Sequence, residues 1–250
     1  MDQKEIRNYQ PAGIEYGRQQ TNSHDYELQA SLAFPILMRK VYLWMTLALV
    51  ITALTAYYVA TSPAVLSIIY GNPAVLIGLF IGELALVMGL SWAINKLSLT
   101  VATFMFVVYS IINGATLSSI FLVYTASSIV SVFFITAATF AAMAAYGYFT
   151  KTDLTSIGKI LIMALIGIII ATLVNIFLKS DGLTMILNYI GVLVFVGLTA
   201  YDSQKIKQML LMAPQADEAA QKVALLGALS LYLDFINLFL YLLRIFGRRE

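Results

Sequence analysis

Seven long apolar runs alternate with short polar breaks along this chain, and the alternation carries most of what the sequence says. The runs fall at about 41–60, 74–94, 100–123, 127–149, 157–178, 184–204 and 224–246. Each is near the ~20 residues with which a helix crosses a bilayer's hydrocarbon core. The breaks at 95–99, 124–126, 150–156 and 179–183 are short, which makes consecutive helices antiparallel neighbours in one bundle. Only 205–223, with Pro214, Asp217 and Glu218, is long enough for a sizeable loop. The pattern predicts an all-α polytopic membrane protein whose seven transmembrane helices occupy residues 41–250. Residues 1–40 are polar, carry charges of both signs and show no sustained periodicity. They read as a flexible tail, with a short interfacial segment at 32–38 before Arg39 and Lys40. The start lacks the basic-then-apolar order of a signal peptide, so the first span is expected to act as the targeting signal.

Composition agrees and narrows the chemistry. Of 250 residues 60% are hydrophobic and 11% charged, where soluble domains average about 25% charged. There is no cysteine, hence no disulfide, thiolate nucleophile or thiolate metal site. The single histidine, His24, lies in the polar tail and cannot alone make a zinc site. P-loop, nucleophile-elbow and dinucleotide-binding patterns are all missing. An intramembrane aspartyl protease would need a glycine context around its second acid, and Leu233-Asp234 has none. The expectation is a non-enzyme with no cofactor and no nucleic-acid partner, whose first partner is the lipid bilayer.

Charge sets the expected orientation. With the N-terminus inside, Lys4, Arg7, Arg18, Arg39, Lys40, Lys96, Lys151, Lys159, Lys205, Lys207 and Lys222 fall on the cytoplasmic side. Lys179, Arg244, Arg248 and Arg249 fall opposite. Positively charged residues favour the cytoplasmic side, so the N-terminus is expected there. The three C-terminal arginines break the rule: either seven full spans leave a basic tail outside, or the last segment re-enters. Small residues, Gly78 and Gly82 in the second span and the alanines of the fourth, offer close helix packing.

Three acids lie within or at the edge of spans: Glu83, Asp202 and Asp234. A carboxylate at the centre of a spanning helix costs about 2.5–3.5 kcal/mol on insertion scales, so such residues usually face a bundle interior or wet cavity and mark function. Asp234 is roughly 15 Å into the last span at helical rise, and Asp202 lies toward the cytoplasmic end of the sixth. These helices are consecutive and antiparallel, so the two acids can meet. Asn237 shares the face of Asp234 and could bond there; Glu83 is near the middle of the second span. Two carboxyls in low dielectric cannot both ionise cheaply, so one keeps a proton and the pair responds to pH. Ionised, they are hard oxygen ligands for Ca²⁺, a sparse set suited to passage rather than storage. Asn113, Asn175 and Asn188 also lie in spans, where interhelical hydrogen bonding accounts for them as well as an ion pathway does.

The run Thr-Ala-Tyr-Asp-Ser-Gln-Lys-Ile at 199–206, and the run Ser-Leu-Tyr-Leu-Asp-Phe-Ile-Asn-Leu-Phe-Leu-Tyr-Leu-Leu-Arg-Ile-Phe-Gly at 230–247, resemble the Bax-inhibitor (transmembrane Bax inhibitor motif) family. Gly-Ala-Thr-Leu-Ser-Ser-Ile-Phe at 114–121 and Tyr-Gly-Tyr-Phe-Thr-Lys-Thr-Asp-Leu at 146–154 are similar to its bacterial, YccA-like branch. The resemblance covers about 40–247. It implies seven helices with the last one central in the bundle, a pH-sensitive Ca²⁺ leak, and a proton-sharing acid pair that falls on Asp202 and Asp234. In some members a basic residue late in the second helix latches the closed state. Here no arginine follows Trp92, and Lys96 is the candidate. Relatives are also linked to modulating a membrane AAA protease and, in eukaryotes, to suppressing cell death. The expected function is thus a pH-regulated cation leak gated by Asp202 and Asp234, which would also be the weak Ca²⁺ ligands, with Glu83 and Asn237 along the path. The rival is a membrane interaction protein acting on a protease or a stress response. A bacterial inner membrane is the expected location.

Overall fold

A computed structural model describes residues 12–213 and 215–249, with side chains from residue 31 onward. Lys4, Arg7, Pro214 and the side chains of Arg18 and His24 lie outside what it describes. The elements are α1 (Ala12–Thr61), α2 (Pro63–Tyr70), α3 (Pro73–Ala93), α4 (Leu99–Leu117), α5 (Ile120–Val123), α6 (Ala126–Phe149), α7 (Thr155–Leu178), α8 (Asp181–Leu211) and α9 (Glu218–Phe246). Seven spans are long and apolar enough to cross a membrane, with Leu99–Val123 counted as one and the first running Ser31–Thr61. The protein is an all-α polytopic membrane protein.

Local chemistry explains where the helices begin. Asn72 accepts the backbone N–H of Ala74 at 3.0 Å, with Pro73 at the first helical position of α3, where a missing N–H costs nothing. Ser98 caps α4 through Val101, Ser180 caps α8 through Leu183, and Asp217 caps α9 through Ala220. Such caps satisfy backbone donors that the first helical turn leaves free. The α7–α8 turn is tight: Lys179 adopts φ 51, and Asn175 brackets it, accepting from Ser180 N and donating to Thr184 Oγ1 at 2.7 Å.

Two boundaries differ from the sequence reading. Part of the stretch read as a polar tail is helix: α1 runs unbroken from Ala12 through Pro35 into the membrane, and Leu37 and Val41 are fully buried. The segment at 32–38 is therefore the start of the first span, because its apolar residues pack into the bundle. The predicted loop at 205–223 is mostly helix too, since α8 continues to Leu211 and α9 begins at Glu218. At about 1.5 Å per residue the 31 residues of α8 span roughly 46 Å, well beyond a ~30 Å hydrocarbon core.

The last helix is the centre. Buried residues make up 67% of the apolar 18-residue window of α9, against 6% in those of α3 and α7, and α9 packs on α8, α1, α6 and α4. Phe133 and Phe140 of α6 meet Phe235 of α9 with ring centroids 5.5 and 5.4 Å apart. Small residues let α6 and α8 close up: a Cβ at Gly147 would strike the backbone of Ala200, and Ser203 Oγ donates to Ala144 O at 2.7 Å. Gly78 and Gly82, expected to be packing residues, have nothing within 4 Å of a would-be Cβ; their face of α3 looks outward.

The ends of the bundle settle the path of α9. Leu99 N donates to Glu218 Oε1 at 3.0 Å and Lys40 Nζ to Gln221 Oε1 at 2.6 Å, so the start of α9 lies beside the α3–α4 turn and the Lys40 level of α1. At the other end Thr125 N donates to Arg248 O at 3.1 Å, and Arg248 N to Ser128 Oγ at 2.9 Å. The helix crosses completely. The re-entrant alternative falls away, and Arg244, Arg248 and Arg249 lie at the end opposite Lys40.

Candidate functional site

Asp234 sits on the inward part of α9 and is 5% exposed, and its Oδ2 is a buried oxygen with no hydrogen-bond partner. Buried polar atoms almost always find partners, and an exception asks for a reason. Asp234 also lines a cavity of about 810 Å³. Asp202 of α8 and Glu83 of α3 line the same space, so all three acids singled out in the sequence face one cavity. Gly158 of α7 helps place Asp202, because a Cβ there would overlap the ring of the adjoining Tyr201.

Two further spaces adjoin this cavity. One of about 420 Å³ shares Glu83, Tyr109 and Asn237 with it and reaches Tyr124 and Arg244. The other, about 230 Å³, shares Asp202, Lys205 and Ser230 and reaches Ser91 and Leu226. Between Leu226 and Arg244, α9 rises about 27 Å. The three spaces thus follow one face of α9 over most of a ~30 Å core. Lys205 stands toward one end and Arg244 toward the other, each with its charge over a tyrosine ring, Tyr201 at 5.8 Å and Tyr241 at 5.5 Å.

Glu83 is anchored where Asp234 is not. Its Oε1 accepts Thr116 Oγ1 at 2.6 Å. Beside it Tyr232 OH donates to Asn113 Oδ1 at 2.9 Å and lies 2.7 Å from Thr52 Oγ1, which also reaches Ser110 O at 3.0 Å. This network joins α1, α4 and α9 at the depth of Glu83. Tyr232, Thr52 and Thr116 were missed in the sequence. Tyr232 and Asp234 share a helix, and a tyrosine within a long apolar run is the signal, since a buried phenol needs a partner.

The other sequence candidates fare differently. Asn237 lines the cavity, but its Nδ2 donates to Leu233 O of its own helix at 2.8 Å; among the described residues no hydrogen bond joins it to Asp234. Lys96 is exposed on the α3–α4 turn and lines none of the three spaces. The cation beside the acids is Lys205, one helical turn from Asp202. A latch from Lys96 therefore lacks a geometric basis here. Asn175 serves the α7–α8 turn and Asn113 the Tyr232 network, as interhelical hydrogen bonding predicted. No group of three His, Asp or Glu able to hold a metal gathers among the described residues.

A seven-span bundle with acids around a cavity beside its central helix defines a membrane protein with a polar interior. The chain belongs to the family described as "Inhibitor of apoptosis-promoting Bax1", whose pattern it matches over residues 35–250. It is 56% identical over 214 residues to "Inner membrane protein YbhL" of Escherichia coli strain K12, covering 85% of this chain and 92% of that protein. An uncharacterized protein of Borreliella burgdorferi is 47% identical over 213 residues, 85% of this chain and 92% of its own length. An uncharacterized membrane protein of Streptococcus pyogenes serotype M6 is 36% identical over 231 residues, 92% of this chain and all of its own.

Proposed function

We propose that the protein is a pH-regulated cation leak, with Ca²⁺ as the ion, gated by Asp202 and Asp234. The observation that carries this reading is a cavity lined by Asp234, Asp202 and Glu83 together, with Asp234 buried and its Oδ2 without a hydrogen-bond partner. Two acids in so dry a place cannot both ionise cheaply. At low pH they hold a proton between them and α8 stays against α9. As pH rises the proton leaves, the two charges repel, and the carboxylates become oxygen ligands for a passing cation. Flux therefore increases with pH. With two carboxylates and the rest of the shell from water and carbonyls, the ion passes rather than resides. Lys205, Tyr109, Tyr201 and Tyr241 also line the cavity, and Lys205 opposes the entering charge at one end. The reading involves no catalysis and no resident cofactor.

The location follows from the YbhL relative: a bacterial inner membrane, with the Lys40 end of the bundle in the cytoplasm by the excess of lysines there. Ca²⁺ flux into proteoliposomes from about pH 5 to about pH 8, with Asp202→Asn and Asp234→Asn beside the native protein, tests the gate. Flux that climbs with pH and loses that slope in both variants supports it. Absence of protein-dependent flux at every pH overturns it.

A second reading, a membrane partner of an AAA protease, draws support from α1, whose residues 12–30 continue the helix beyond its spanning stretch. Deletion of residues 1–30, which spares the buried Leu37, separates the two: lost protease modulation with intact flux favours the partner role.

A further inference from the structure

A Ca²⁺ ion needs far less room than this cavity provides. At about 30 Å³ per water, 810 Å³ holds on the order of two dozen waters, and it falls within the ~300–1,000 Å³ of pockets that enclose organic ligands. Its walls are not those of a water-filled pore either. They divide into two parts of opposite character. The inner wall carries Asp234, Asp202 and Glu83, together with the rings of Tyr109, Phe195 and Tyr241. The outer wall is apolar: Phe80, Ile81 and Leu84 of α3, facing Ile162 and Ile169 of α7. These five are exposed on the lipid-facing surface while lining the cavity. The cavity thus opens sideways, between the two spans that are least buried.

We infer that this cavity is a binding site for an amphipathic organic cation that comes in from the bilayer, its ammonium on Asp234 and Asp202 and its alkyl chain in the α3–α7 mouth. The three acids reject fatty acids and anionic lipid headgroups by charge. The apolar mouth disfavours a soluble polyamine, which would have to shed water along its whole length. The aromatic faces favour an ammonium, and two of them already hold protein cations, Lys205 over Tyr201 and Arg244 over Tyr241. Asp234 and Asp202 both line the cavity and supply the carboxylates that an ammonium entering it would meet. Such a cation would also occupy the place where the proposed leak passes its ion, but occupancy does not depend on any leak existing.

Binding is therefore read directly. The full chain in phosphatidylcholine nanodiscs is equilibrated with octylammonium, with octanol and with spermidine, and uptake above that of empty nanodiscs is measured. Saturable uptake of about one octylammonium per chain is expected, with none for octanol, and about tenfold weaker in Asp234→Asn and in Leu84→Trp, which fills the mouth. Uptake no greater than in empty discs overturns the inference. So do equal uptake of octanol, preference for spermidine, or unchanged binding in Asp234→Asn. If Asp234→Asn does not fold, Asp202→Asn, at the less buried acid, takes its place in the same comparison. Loss of Ca²⁺ flux alone bears on the leak and leaves this result untouched.

Discussion

Tyr232 and Asp234 lie two residues apart on the central helix, both withdrawn from the surface, and the fold treats them in opposite ways. Tyr232 is fully buried, packed edge-on against Phe106 and Tyr109, and its hydroxyl sits between Thr52 and Asn113. Asp234 is nearly as buried, yet one of its oxygens has no partner. The first residue is placed as a structural polar group is placed, with its bonds made inside the protein. The second lines a cavity and keeps one oxygen unbonded. A buried polar group left without a partner costs about 1–3 kcal/mol, and on the proposed function a proton or a passing cation offsets that cost.

Substitution can break the comparison. The largest effect is expected from Asp234→Asn, which keeps the shape and removes the charge. Proteoliposome flux should lose its pH slope while thermal unfolding in detergent occurs at an equal or higher temperature; a markedly lower one would mean that Asp234 is a packing residue like its neighbour. Tyr232→Phe should do the reverse. It leaves Asn113 Oδ1 short of a donor, so stability to denaturant should fall by about 1–3 kcal/mol with the pH slope of flux intact. Glu83→Gln comes third: Thr116 can still bond the amide oxygen, so stability changes little, and only the magnitude of flux falls. The smallest effect belongs to Lys96→Ala, which should leave flux and its pH dependence unchanged. A latch-like response from Lys96 in that assay would show that the α3–α4 turn moves further than its present position implies.

The spans and the three acids were legible because each breaks or makes a simple pattern. An acid in a long apolar run is conspicuous in one dimension, and antiparallel succession brings Asp202 toward Asp234 without any knowledge of packing. What stayed hidden depends on rotation about helix axes. Gly78 and Gly82 have the spacing of a packing motif, yet α3 turns them outward. Asn237 has the right spacing to bond Asp234, but its amide turns back onto Leu233. The early start of α1 was obscured because its first turns are polar, and the length of α8 because lysines after Asp202 resemble a loop. Partners from distant spans, such as Thr52 for Tyr232, leave no local trace.

The position of α9 also has a consequence for how the bundle comes into being. It follows every span that packs around it in chain order, so an elongating chain delivers α1, α4, α6 and α8 before their common neighbour exists. Synthesis presents earlier segments first, and these must wait in the bilayer with their inner faces turned to lipid or to one another. The core closes only when α9 is threaded among them, and the pairing of Arg248 with Thr125 and Ser128 then fastens its far end. A ribosome that stalls before residue 218 leaves a bundle with no axis, a fragment that a membrane quality-control protease would recognise by its looseness.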